Sequence, residues 1–301
     1  MVEMNSRKAA IIGCGFVGSA SAFSLMESHL FSEIVLIDAD KDRAEGEALD
    51  ISHGLPFSKP MQIYAGTYQD ISDAAVVIVT AGAGQKPGET RLDLVKKNVA
   101  IFKSIIPEVA KYNRSGILLI VANPVDILTY VAKQLSGYPS NRVFGSGTVL
   151  DTARLKYLLG EHGDSEIAAW SSANVSGVPL FKFCNMRGHF HEEETSRRIA
   201  EEVKNSAYEI IKRKKATYYG IAMSVKRICE AIVRDEKSIL PVSSIQNSEK
   251  INGVALSMPA IVGKHGVEGQ VPIELSDEER AALQRSADTL KAVLNDVLKE
   301  E

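Results

Sequence analysis

Asp151 and Arg154 stand three residues apart in Leu150-Asp151-Thr152-Ala153-Arg154, and His162 follows in the polar turn Gly160-Glu161-His162-Gly163-Asp164-Ser165. On a helix an i, i+3 pair shares one face, so the carboxylate and the guanidinium are expected side by side. A carboxylate beside an imidazole raises its pKa and orients it, which suits a proton donor and acceptor near neutrality. An arginine on the same face can grip a carboxylate through two parallel hydrogen bonds. Together they suggest proton transfer on a small anionic substrate. His29, His53, His189, His191 and His265 have no such company and read as structural.

A second chemistry lies near the N-terminus. The apolar run Lys8-Ala9-Ala10-Ile11-Ile12 enters Gly13-Cys14-Gly15-Phe16-Val17-Gly18, and the run Ile34-Val35-Leu36-Ile37 ends in Asp38. Gly13 permits a tight turn, Gly15 lets backbone amides approach a pyrophosphate, and Gly18 lets a helix pack on the strand. That helix N-terminus offers free amides and partial positive charge to the pyrophosphate. Asp38 lies 20 residues beyond Gly18 (38 − 18), where a carboxylate can accept both ribose hydroxyls and repel a 2′-phosphate. The expected ligand is a dinucleotide, NAD in preference to NADP.

These groups need a frame. Ala74 to Thr80 and Gly116 to Val121 are continuous apolar runs, as in buried parallel strands. Between them Leu92 to Tyr112 reads as a helix that Pro107 should kink or divide. The alternation predicts an α/β fold, a Rossmann-type doubly wound parallel sheet over residues 1–145, with ligands outside the carboxyl ends of the strands. Those ends carry Gly13-Cys14-Gly15, Asp38, Ala81-Gly82-Ala83-Gly84 and Asn123-Pro124. From 146 to 301 the style changes to an α+β catalytic domain. Helices are expected at Val149–Leu159 and Glu192–Lys215, strands at Val254–Met258 and Gly269–Glu274, and a last helix capped by Ser276-Asp277-Glu278-Glu279.

At 301 residues the chain can hold two substantial cores. A net charge of −3 favours neither nucleic acid nor an anionic membrane as a partner, and Lys212 to Lys215 reads as a solvated helix end. Three cysteines suggest reduced thiols. No apolar stretch reaches spanning length, no leader pattern is visible, and no metal-ligand cluster is apparent. A cytoplasmic enzyme is expected.

Several long motifs in order make the chain similar to bacterial L-lactate dehydrogenases of the lactate/malate dehydrogenase family. They are Gly82-Ala83-Gly84-Gln85-Lys86-Pro87-Gly88-Glu89-Thr90-Arg91, Ala122-Asn123-Pro124-Val125-Asp126, Gly145-Ser146-Gly147 through Arg154, and the His162 turn. The likeness continues through Ala216-Thr217-Tyr218-Tyr219 and Leu240-Pro241-Val242-Ser243-Ser244. It implies that NADH delivers a hydride to pyruvate, that His162 supplies the proton, and that Asp151 stabilises its imidazolium. Arg154 would bind the substrate carboxylate. Arg91, on a mobile loop over residues 82–91, would polarise the carbonyl on closure. Asn123 would contact nicotinamide and substrate. Gly13, Gly15, Phe16, Val17, Gly18, Asp38, Arg43, Tyr68, Gly82, Ala83 and Ser146 would complete the cofactor site. A cis Asn123-Pro124 bond and a homotetramer are family expectations.

Substrate choice rests on Gln85 and Thr217. Malate dehydrogenases place an arginine at the position of Gln85 to receive a second carboxylate. Beside neutral Gln85 that carboxylate would be buried unpaired, a cost of several kcal/mol, whereas the pyruvate methyl bears no such cost. Lactate is favoured over malate.

One departure stands out. His162 comes only 11 residues after Asp151 (162 − 151), and the family's intervening strand has no counterpart. A helix from Asp151 to Leu159 would carry the chain about 12 Å away, and three extended residues recover about 10 Å. Three origins remain open: residues omitted near Leu159–Gly163, a deletion that leaves an NAD-binding but catalytically impaired chain, or a natural short variant that rebuilds the corner. The same departure removes the histidine through which many relatives respond to fructose 1,6-bisphosphate, and Lys156 replaces the arginine. That activation is not expected.

Overall fold

The computed structural model describes residues 4–84, 88–161, 193–248 and 251–298. Six parallel strands form the first half: β1 Asn5–Ile12, β2 Glu33–Ile37, β3 Gln62–Ala65, β4 Ala74–Val79, β5 Ile117–Ile120 and β6 Val143–Gly145. They alternate with α1 Phe16–Ser28, α2 Lys41–Ser52, α3 Arg91–Tyr112 and α4 Val125–Ser136. The sheet order β3-β2-β1-β4-β5-β6 reverses direction between β1 and β4, the switch point at which such folds bind dinucleotides. Both faces are covered, so β1 and β4 read as unbroken apolar runs, with Ala9 through Ile12 and Val76 through Val79 at most 2% exposed.

Then follow α5 Val149–Glu161, α6 Glu193–Lys214, α7 Tyr219–Val233, the antiparallel strands β7 Ser238–Asn247, β8 Asn252–Gly263 and β9 Gly266–Gln270, and α8 Asp277–Leu298. The second half does not build its own separate sheet among the described residues. Gly145 pairs with Ser243, so β7, β8 and β9 extend the first sheet to nine strands. The acid-rich start of α8 is capped as expected: the Ser276 amide donates to the Glu279 carboxylate, and the Glu279 amide donates back to Ser276 Oγ.

Three local expectations are corrected. Pro107 does not divide the helix; α3 runs unbroken through it, because Phe102, Ile106 and Val109 on either side are fully buried against the sheet. Burial of Phe102 alone contributes roughly 2 kcal/mol. The last strand is Gly266–Gln270, four residues short of the expected end at Glu274, since Pro272 has no amide for a ladder. Arg91 is the first residue of α3 and not part of the preceding loop. Thr90 caps α3, accepting from the Asp93 amide while the Asp93 carboxylate accepts from the Thr90 amide. No helix among the described residues is long and apolar enough to cross a membrane.

Candidate active site

The glycine-rich turn stands at the carboxyl end of β1. Gly13 has φ +101°, and a Cβ there would lie 2.5 Å from the Ala81 nitrogen. A Cβ on Gly18 would lie 1.8 Å from the Gly13 carbonyl oxygen. Gly15 is different: nothing lies within 4 Å of the place its Cβ would occupy. Gly15 also stands at the N-cap of α1 with no side-chain hydrogen bond, so no cap side chain occupies the first amides of α1. That is the cradle a pyrophosphate needs.

A cleft of about 680 Å³ opens there, lined by Gly13, Gly15, Asp38, Arg43, Tyr68, Gly82 and Ala83 of the expected set. Asp38 organises the turn itself, its two oxygens accepting from the Cys14 amide at 2.6 Å and the Asp40 amide at 3.0 Å. Arg43 Nε donates to the Cys14 carbonyl at 2.8 Å. Burial, and then the neighbouring Asp38, push the Cys14 thiol up to about 12, so it adds no negative charge beside the cradle. Open amides, a bare Gly15 and an acid at the end of β2 fit a dinucleotide.

Phe16, Val17 and Gly18 form the first turn of α1 and do not line this cleft. Phe16 instead stacks on Tyr218 at 5.3 Å between ring centroids. That contact sets the Thr217 turn, between α6 and α7, beside the glycine loop. Lys214 lies over the Tyr218 ring at 3.5 Å, so the basic run is not wholly given to solvent. Ser146, 4% exposed, follows β6 and donates its amide to Ile120.

Asn123 follows β5 with its side chain exposed and the Asn123-Pro124 peptide cis. On α5, Arg154 Nη1 and Asp151 Oδ1 meet at 2.8 Å, with the side chains 15% and 14% exposed. The i, i+3 reading therefore holds, but the two groups bind each other and are not simply parallel. Arg91, exposed at the head of α3, donates from Nη2 to the Tyr208 hydroxyl of α6 at 3.2 Å. Gln85 and His162 lie outside the described residues.

Sequence reasoning missed several groups here. Ile101, Ser104 and Ile105 of α3 line the cleft; their i, i+3, i+4 spacing from Ile101 was the available signal. Asn98, one turn earlier on that helix, is 1% exposed and holds the Ala83 and Asn123 backbone. Asp126 accepts a short hydrogen bond from the Ser243 hydroxyl of β7, and Ser257 Oγ of β8 faces the same carboxylate without closing a well-formed bond.

The Asp126 side chain retains a little surface yet sits deep among protein atoms, and that desolvation pushes its pKa from 3.8 up to about 6, against the pull of the two serines. The folded chain therefore binds this proton more tightly than the unfolded one. Its contribution to stability is complete below the unfolded value and is lost as pH rises through about 6. Replacing Asp126→Asn should flatten this slope. Urea unfolding at about pH 5 and about pH 7 is expected to show the wild type losing about 1 kcal/mol more than the variant. Equal losses would mean that Asp126 is ionised throughout.

The family model for the lactate/malate dehydrogenase NAD-binding domain matches residues 7–145, and that for the α/β C-terminal domain matches residues 146–301. An L-lactate dehydrogenase of Acetivibrio thermocellus is 52% identical over 306 residues, covering 96% of each chain. One from Thermoanaerobacterium saccharolyticum is 52% identical over 310 residues, covering 97% of this chain and 98% of that one. The crystal structure of a minor L-lactate dehydrogenase from Enterococcus mundtii superposes with a TM-score of 0.88 at 40% identity, covering 99% of this chain and 100% of the other.

Proposed function

The chain belongs to the lactate/malate dehydrogenase family, and from that premise we propose how its residues divide the work of an NAD-dependent L-lactate dehydrogenase. NAD is the coenzyme, pyruvate and L-lactate are the substrates, and malate dehydrogenase is not the favoured activity. Residues 1–145 act as the NAD-binding domain and 146–301 as the catalytic one.

The observation that carries the reading is the Arg154–Asp151 pair, closed at 2.8 Å and mostly shielded from water. One guanidinium nitrogen engaged by Asp151 leaves the rest of the fork for a substrate carboxylate. Asp151 also orients the His162 imidazole, which gives its proton to the carbonyl oxygen in reduction and takes it back in oxidation. Arg91 polarises that carbonyl once it leaves Tyr208. Asn123 and Thr217 border the reacting centre, and neutral Gln85 accepts the methyl end. Bound NADH supplies the hydride.

A second reading, an NAD-binding chain without turnover, rests on His162 following Asp151 by only 11 positions (162 − 151), with α5 unbroken through Glu161. NADH oxidation by the purified chain separates the two. A kcat/KM for pyruvate at least about 100-fold above that for oxaloacetate is expected, since the second carboxylate meets no cation at Gln85. A preference for oxaloacetate would remove the argument from Gln85. Tight NADH binding with no oxidation by any 2-keto acid would establish the second reading. A homotetramer is the further proposal, supported by the exposed apolar Phe23, Leu49 and Phe57 along α1, α2 and the turn after α2. Cytoplasmic placement accords with Cys14 and Cys229 being free thiols.

A further inference from the structure

One buried side chain ties together the two loops that border the reacting centre. Asn98 sits on α3 two turns after Arg91 and is 1% exposed. Its Oδ1 accepts from the Ala83 amide at 2.7 Å. Its Nδ2 donates to the Ala83 carbonyl at 3.2 Å and to the Asn123 carbonyl at 2.7 Å. Gly82 leaves room for this clamp, because a Cβ there would meet Asn98 Oδ1 at 3.5 Å and Ala122 at 3.3 Å.

Few residue types can do this. The site needs one acceptor and two donor positions on a short planar group, the inventory of an asparagine amide. Aspartate would keep the bond from the Ala83 amide but set a carboxylate oxygen against two carbonyls. Leucine would fill the space and remove the partner of three part-buried backbone groups. A buried polar group with every bond made sets a unique local arrangement. Here it joins α3, the start of the 82–91 segment and the Asn123-Pro124 turn.

We infer that Asn98 is a positioning residue for hydride transfer, holding Asn123 in register with α3 and hence with Arg91 at its head. The inference rests on the roles proposed above for Asn123 and Arg91. Asn98 is buried behind the cleft lining and acts through the backbone of Ala83 and Asn123. Misplacing a substrate-contacting group by about 1 Å costs about 100-fold in rate, and this clamp is where such a displacement would begin.

Asn98→Leu and Asn98→Asp test it in the full chain. Both variants are expected to keep NADH affinity within about tenfold of wild type by fluorescence titration, because the pyrophosphate cradle is untouched and only the Ala83 side of the cleft loosens, while kcat for pyruvate falls at least about 30-fold. Amide exchange should rise at least about tenfold at Ala83 and the residues after β5, with β1 and β4 still protected. Asn98→Asp adds a readout that simple loosening would not give. Its carboxyl can donate to a carbonyl only when protonated, so its kcat relative to wild type should recover as pH falls, and that of Asn98→Leu should not.

A folded variant with wild-type kcat would overturn the inference. So would a loss of NADH affinity matching the loss of rate, or global unfolding of both variants, which would make Asn98 a stability residue only. If the wild-type chain itself fails to oxidise NADH with pyruvate, the proposed activity is at fault, and the exchange of Ala83 and Asn123 still decides the clamp.

Discussion

Arg154→Leu is expected to cut kcat/KM for pyruvate by about a thousandfold, with most of the loss in KM. Removing one member of a hydrogen-bonded, poorly solvated charge pair costs about 3–5 kcal/mol, which corresponds to a factor of about 10² to 10³·⁵. The substrate carboxylate loses its cation, and Asp151, whose side chain is 14% exposed, loses its contact with the guanidinium. Arg154→Lys should fall between, because an ammonium keeps the charge and loses the planar fork. NADH affinity should stay within about threefold, since Arg154 is not among the described residues lining the cleft at the glycine turn. Steady-state kinetics with a parallel NADH titration would decide the matter. A KM for pyruvate within about fivefold of wild type would remove Arg154 from the substrate site.

Three alanine substitutions should separate packing from binding at the glycine-rich turn. Gly18→Ala places a methyl 1.8 Å from the Gly13 carbonyl oxygen and 2.9 Å from Thr80 Oγ1. The obstacle is backbone, so α1 must move away from β1. Overpacking of this kind costs about 1–3 kcal/mol or more, and the displaced helix N-terminus should weaken NADH binding at least about 30-fold. Gly15→Ala meets nothing within 4 Å; it should leave thermal stability unchanged and still weaken NADH, because the methyl enters the pyrophosphate's approach. Gly46→Ala, on α2 with nothing within 4 Å, should raise stability by about 1 kcal/mol through helix propensity alone and leave NADH untouched. Thermal melts and fluorescence titrations read all three. Equal NADH affinity in wild type and Gly15→Ala would place the pyrophosphate elsewhere.

Three of the four predicted parallel strands lie within a residue of those found, while β1 starts three residues earlier, at Asn5, and the short β3 and β6 were not predicted. A strand buried on both faces writes itself as an unbroken apolar run, and Ala74–Val79 is one. The capped start of α8, the tight turn at Gly13 and the close packing at Gly18 were readable for a similar reason. Turn geometry and capping depend on neighbours a few residues apart. Pro107 misled because a local rule was outweighed by burial on both sides of it. The strand expected at Gly269–Glu274 misplaced its end because pairing with β8, not local composition, decides where β9 stops.

Residue order was enough for the glycine-rich turn, for the sharing of one helix face by Asp151 and Arg154, and for the alternation that builds a doubly wound sheet. Tertiary structure alone decided the partners. Asn98 reaches Asn123 across 25 positions, and Arg91 reaches Tyr208 and Asp126 reaches Ser243 across 117 each. It also joined β7 to β6, carrying one sheet through both halves. The physical reason is that periodicity and capping act over a few residues, whereas a buried amide or acid finds its partner only after the path of the whole chain has brought distant backbone groups within hydrogen-bonding reach.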